Sequence, residues 1–192
     1  MRRGTVIALV AAVVLAGGCT TGRGTPLTAQ LDALQRYHDE YAGSHAVLKD
    51  MGAIRKAAMR APSTDTQDAV GLTFVKFTHG AKTEYGVWEV DAAGQFRNAV
   101  INEPQYNLAG AFARNAKTHT AFPMSQSRQR RVVQESVFDP NRTELQGSAT
   151  QVVMSGLQKV VTNTPSVELT WFYDPQADKV VYVRSDSLAR GY

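Results

Sequence analysis

Apolar residues recur at a helical spacing in the first third of the chain and then, beyond Pro62, at an alternating one. Leu27, Leu31, Leu34, Tyr41, Leu48, Met51, Ile54 and Ala58 form a stripe with a period close to that of an α-helix. Thr25-Pro26 reads as its start, with threonine as cap and proline at the first helical position, where the missing N–H costs nothing. Gly43 and Gly52 interrupt the stripe, so the segment is either one bent helix or two.

After Pro62 the pattern turns to strands. Ala69–Thr78, Glu84–Asp91 and Gln95–Asn102 carry β-branched and aromatic residues, and the short glycine-containing stretches His79-Gly80-Ala81-Lys82 and Ala92-Ala93-Gly94 separate them. This predicts a three-stranded antiparallel meander. Gln105–Lys117 reads as a short helix, Thr118–Arg131 as a surface loop without a period, and Arg131–Phe138 as a strand stopped by Asp139-Pro140. Asn141 with Glu144 three residues on resembles a capping box, which predicts a helix over Thr143–Val161 that buries Leu145, Val152, Val153, Leu157, Val160 and Val161. Val167, Leu169, Trp171 and Tyr173 then alternate with polar or outward positions, and Asp174–Asp178 turns the chain into Lys179–Arg184. The predicted class is α+β: an antiparallel sheet, made of the meander and a C-terminal hairpin, packed by helices and preceded by a long N-terminal amphipathic helix.

The first residues follow a different logic. Arg2 and Arg3 precede an uncharged run, Thr5–Leu15, and then small residues, which is the layout of a secretory signal. The run is shorter than the roughly 20 apolar residues that cross a bilayer. Leu15-Ala16-Gly17-Gly18-Cys19 resembles the lipobox of the bacterial lipoprotein class, although leucine is commoner where Ala16 stands. The resemblance implies cleavage before Cys19, a diacylglycerol on its sulfur and anchoring by several acyl chains, where one alone would hold weakly. It divides the chain into a signal peptide over 1–18, a lipidated tether over 19–26, a helical segment over 27–61 and an α+β domain over 62–192. Thr20 stands where some lipoproteins carry an inner-membrane retention aspartate, which implies the periplasmic face of the outer membrane in an organism with two membranes. Because Cys19 is the only cysteine, the lipid would also remove thiol, disulfide and thiolate–metal chemistry from the mature protein.

Removing residues 1–18 leaves 174 residues with 19 basic against 17 acidic side chains, a balance that argues against a nucleic-acid partner. Candidate chemistry is sparse. His38 and His45 fall in the helical seam beside Leu34, Tyr41 and Leu48, as a pH-sensitive or metal-assisted contact or simply as the border of an apolar face. Seven residues separate them, about 10 Å along a helix, so they do not chelate one ion within it. Arg128, Arg130 and Arg131 form the one basic cluster, a phosphate contact or a solvated face. Trp88, Trp171, Phe172 and Tyr173 line a ligand cleft or fill the core. Gln134-Glu135-Ser136-Val137-Phe138-Asp139-Pro140-Asn141 resembles the catalytic motif of lytic transglycosylases, in which Glu135 would be the general acid on peptidoglycan. The glycine-rich continuation and the later Ala-Tyr-Asn motif of that family are missing.

No phosphate loop, metal-ligand pair or nucleophile elbow is present, and no cofactor is called for. The sequence therefore points to a lipid-anchored, non-enzymatic assembly or accessory subunit of an envelope complex, held to the membrane through Cys19 and bound to another envelope protein. The alternatives are a lipoprotein that binds a lipid, glycan or small ligand and, more remotely, a peptidoglycan lyase.

Overall fold

A computed structural model describes residues 25–41, 46–62, 69–129 and 147–188. The stripe of the first third is two helices. α1 (Leu27–Tyr41) starts after Pro26, whose carbonyl accepts the N–H groups of Ala29 and Gln30. A 3-10 turn (Ala46–Asp50) leads into α2 (Met51–Arg60), where the Asp50 side chain caps the Ala53 N–H at 2.9 Å. Gly52 thus sits in a first helical turn and not in a helix interior, where it would weaken the element.

Three strands follow: β1 (Ala69–His79), β2 (Lys82–Val90) and β3 (Phe96–Ile101), each antiparallel to the one before. After a 3-10 turn (Pro104–Tyr106), α3 (Leu108–Thr118) begins at Asn107, which takes a left-handed conformation and accepts the Gly110 N–H with its side chain. β4 (Ala121–Pro123) lies within the stretch expected to be loop. β5 (Ser148–Asn163), β6 (Val167–Asp174) and β7 (Lys179–Ser187) complete the sheet. Its order is β3-β2-β1-β5-β6-β7, antiparallel throughout, with β4 paired to β5 off this path. The architecture is α+β.

β5 corrects the sequence reading, which placed a helix over Thr143–Val161. Thr150, Val152, Val153, Val160, Val161 and Thr162 are β-branched and stiff, which favours a pleated surface. The helical look comes from a bulge. Val70 pairs with Leu157 but Leu72 with Met154, so β5 spends one extra residue there, and Gly156 supplies the positive φ of 71°. Val152, Met154 and Leu157 consequently face the same core, a spacing of two and then three that resembles a helical period.

Side chains on the two faces of the sheet build separate cores. One face carries Leu72, Phe74, Val87, Val152, Met154, Phe172 and Tyr182, packed under Leu108, Ala111 and Phe112 of α3. On the same face Glu89 of β2 reaches Arg184 of β7 at 3.2 Å, although three strands lie between them, so this face is concave and the sheet curls around α3. The convex face of the β5–β6–β7 end is covered by α1 and α2, where Leu31, Leu34, Ile54 and Ala58 bury Val160, Leu169, Trp171 and Val183. Full burial of each such aliphatic or aromatic side chain contributes about 1.5–3 kcal/mol. The helical segment over 27–61 therefore shares its core with the sheet. A third cluster, Val75, Phe77, Trp88, Met124 and Ala149, lies behind β1 and β2.

Candidate functional site

Where α1 crosses α3 and the start of β7, the packing leaves a cavity of about 300 Å³. α1 contributes Arg36, Tyr37, Glu40 and Tyr41, α3 contributes Arg114, Asn115 and Thr118, and β7 contributes Lys179, Val180 and Val181. Tyr37 and Tyr41 are one helical turn apart, so their rings share a face of α1, with centroids 5.0 Å apart. Arg114 rises from α3 toward them. Its guanidinium carbon stands 4.2 Å from the Tyr41 ring centre and 5.4 Å from that of Tyr37, a cation–π geometry, and its Nη2 donates to the Tyr37 hydroxyl at 2.8 Å.

The floor of the cavity is fixed by Asn115, which is buried and donates from Nδ2 to the carbonyls of Ala111 and Val181 at 2.9 and 3.1 Å, tying α3 to β7. On the rim, Lys179 Nζ donates to Thr118 Oγ1 at 3.1 Å. Arg36 is held by Asp178, through its carboxylate at 2.9 Å and its carbonyl at 2.8 Å, and Asp178 in turn accepts from the Tyr173 hydroxyl. Tyr41 donates to Glu40. Burial pushes the Tyr37 hydroxyl up to about 12 against the opposing pull of Arg114, and burial with the Glu40 carboxylate raises Tyr41. Both phenols are therefore neutral at physiological pH, and a guanidinium is always charged. A charged guanidinium held between two neutral phenols is an arrangement suited to holding an anionic ligand.

Charges balance as follows. Asp178 neutralises Arg36 and Glu40 offsets a second positive charge, while Arg114 makes no ion pair among the described residues. The cavity keeps about one net positive charge, focused between aromatic walls.

A second polar cluster lies on the concave face. Glu89, 7% exposed, accepts from Lys159 at 2.9 Å, Arg184 at 3.2 Å and Asn98 at 3.1 Å. Arg184 also donates to Asp186, which accepts the Tyr106 hydroxyl at 2.7 Å. Burial and this acceptor raise Tyr106 to about 12. Each charge of the cluster has an opposite partner, so it reads as a brace across the curl.

The residues singled out in the sequence fall elsewhere. His38 is on α1 with Nδ1 3.1 Å from Asp39 Oδ1, outside the cavity lining, and its hydrogen bond and that of Gln35 hold Asp39 below the usual carboxylate range. Arg128 is exposed, donates to Gln151 at 3.2 Å and stands 5.8 Å from the Phe96 ring centre. Trp88, Trp171, Phe172 and Tyr173 are all buried core residues, and none of them lines the α1–α3 cavity. Cys19, His45, Arg130, Arg131 and Glu135 lie outside the described residues, as do the strand expected over Arg131–Phe138 and the cap at Asn141. Among the described residues there is no group of three or more His, Cys, Asp or Glu placed to hold a metal, and no helix long and apolar enough to cross a membrane. Compared with known proteins, the chain matches no family model, no curated protein and no solved structure.

Sequence reasoning missed Arg36, Tyr37, Arg114 and Lys179. The one available signal was Arg114 itself, a charge at the border of the buried side that Leu108, Ala111, Phe112 and Asn115 form on a short helix.

Proposed function

We propose that the protein is a lipid-anchored envelope protein, held through Cys19, that serves as a non-enzymatic assembly or accessory subunit of a periplasmic or outer-membrane complex and engages its partner through the α1–α3 cavity. The observation that carries this reading is Arg114, a guanidinium set between two tyrosines and without an ion-pair partner among the described residues. Aromatic and arginine side chains are the usual anchors of protein interfaces. The apolar side of α1 and α2 is already used by the molecule's own sheet, so a partner meets the edge of that side, where Tyr37 and Tyr41 border Arg36 and Glu40 at the cavity. α1 also follows the tether directly, which would keep the cavity close to the membrane surface.

The cavity volume supports a second reading, a lipoprotein for a small anionic ligand, since about 300 Å³ is the lower bound of ordinary ligand pockets. Detergent extraction of tagged protein at native level, after crosslinking in cells, separates the two. An accessory subunit is recovered with one defined envelope protein, and a protein recovered only as a monomer is not such a subunit. Substitution of Cys19 by serine should shift the protein from the membrane to the soluble envelope fraction.

A further inference from the structure

We propose that the α1–α3 cavity is a carboxylate-binding site in which Arg114 is the anchoring donor. The class of ligand follows from charge and shape. With Arg36 occupied by Asp178 and Glu40 on the rim, about one positive charge is left for the occupant, which suits a monoanion better than a doubly charged phosphate. A guanidinium presents five N–H donors in a planar fork that matches a carboxylate, and Tyr37 occupies one of them. The guanidinium carbon lies 4.2 Å from the Tyr41 ring centre, which holds the fork beside that ring, and the ring offers an apolar surface to the carbon skeleton next to the carboxylate. Lys179, whose ammonium has three donors and gives one to Thr118, supplies the second cation of the site.

Two sources carry this chemistry: the acidic side chain of a partner protein, which rests on the reading above, and a free carboxylic acid, which does not. The test is a titration of the full-length protein in detergent, read from arginine side-chain N–H resonances. The probes are benzoate, benzamide, phenyl phosphate and a terminally capped peptide alternating glutamate with alanine. Benzoate should shift the Arg114 Nε–H signal saturably, and neutral benzamide should bind about tenfold more weakly or not at all, because it leaves the guanidinium unpaired. Arg114→Gln should abolish the shift of neighbouring signals. Arg114→Lys, which keeps the charge and loses the fork, should weaken benzoate by roughly five- to tenfold in a protein that still unfolds cooperatively.

If both peptide and benzoate bind, the occupant is a partner's side chain; if benzoate alone binds, it is a free acid. Equal binding of benzamide, tighter binding of phenyl phosphate, or unchanged benzoate binding in a folded Arg114→Gln protein overturns the proposal. Failure of the partner reading is seen separately, as benzoate binding by a protein that crosslinks to nothing.

Discussion

Glu89 on β2 and Arg184 on β7 form an ion pair of 3.2 Å across a sheet in which β1, β5 and β6 separate their strands. The contact is possible only because the sheet curls, and Lys159 of β5 closes the same carboxylate from between them at 2.9 Å. Replacing Glu89 by glutamine leaves two largely buried cations facing a neutral amide, a change that costs about 2–4 kcal/mol. Urea unfolding should show this loss. The corresponding Asp32→Asn exchange at an exposed carboxylate, paired with Arg55, should cost under about 1 kcal/mol.

The bulge between β1 and β5 depends on two glycines. Gly156 holds a φ of 71°, where an L side chain is strained, so Gly156→Ala should destabilise by about 1–2 kcal/mol. Gly71 faces the bulge from β1, and a Cβ there would come within 2.9 Å of the Met154 carbonyl oxygen, which is fixed backbone. Gly71→Ala should therefore cost at least as much, measured as a fall in thermal midpoint of both variants.

These glycines also show what the sequence conceals. The strict alternation of Val167, Leu169, Trp171 and Tyr173 made β6 legible, and the hairpin stretch around Gly80 did the same for β1 and β2, because local chemistry and final environment agree there. In β5 a one-residue bulge shifts the phase of the inward positions, so a strand imitates a helix until its pairing is known. The cavity was hidden for another reason. Arg114 and Tyr37 are 77 residues apart, and only the packing of α1 and α3 against the same end of β7 brings them together. The tryptophans, conspicuous in the sequence, are spent on the core.

Alkali should unfold the protein in a defined window. Tyr37 and Tyr106 are raised to about 12, and Tyr182 is pushed higher still by burial, against about 10 in an unfolded chain. Below pH 10 these phenols are neutral in both states and their contribution is fully present. As pH rises through 10 the unfolded chain gives up those protons first, so stability falls with pH until the folded groups ionise near 12. Circular dichroism and tyrosinate absorbance followed together should show late-titrating tyrosines released at the unfolding step. Independent ionisation of all tyrosines near pH 10 with the fold intact would contradict this.

Asn115 should be intolerant of apolar replacement. Asn115→Leu removes both Nδ2 donors and leaves the Val181 carbonyl facing a hydrocarbon, at a cost of about 1–3 kcal/mol. Since this bond ties α3 to β7 beside the cavity, hydrogen exchange should accelerate in α3 before it does in β1.

Whether a partner is met at the cavity decides the proposed role most directly. A photo-crosslinking residue placed at Thr118, on the cavity rim, in the full-length protein in cells gives the measurement. The prediction is one discrete adduct with an envelope protein, lost in the Arg114→Gln background and not formed from a crosslinker at Lys82, in the β1–β2 hairpin away from the cavity. No adduct at Thr118, or the same adduct from Lys82 and in the absence of Arg114, would contradict it.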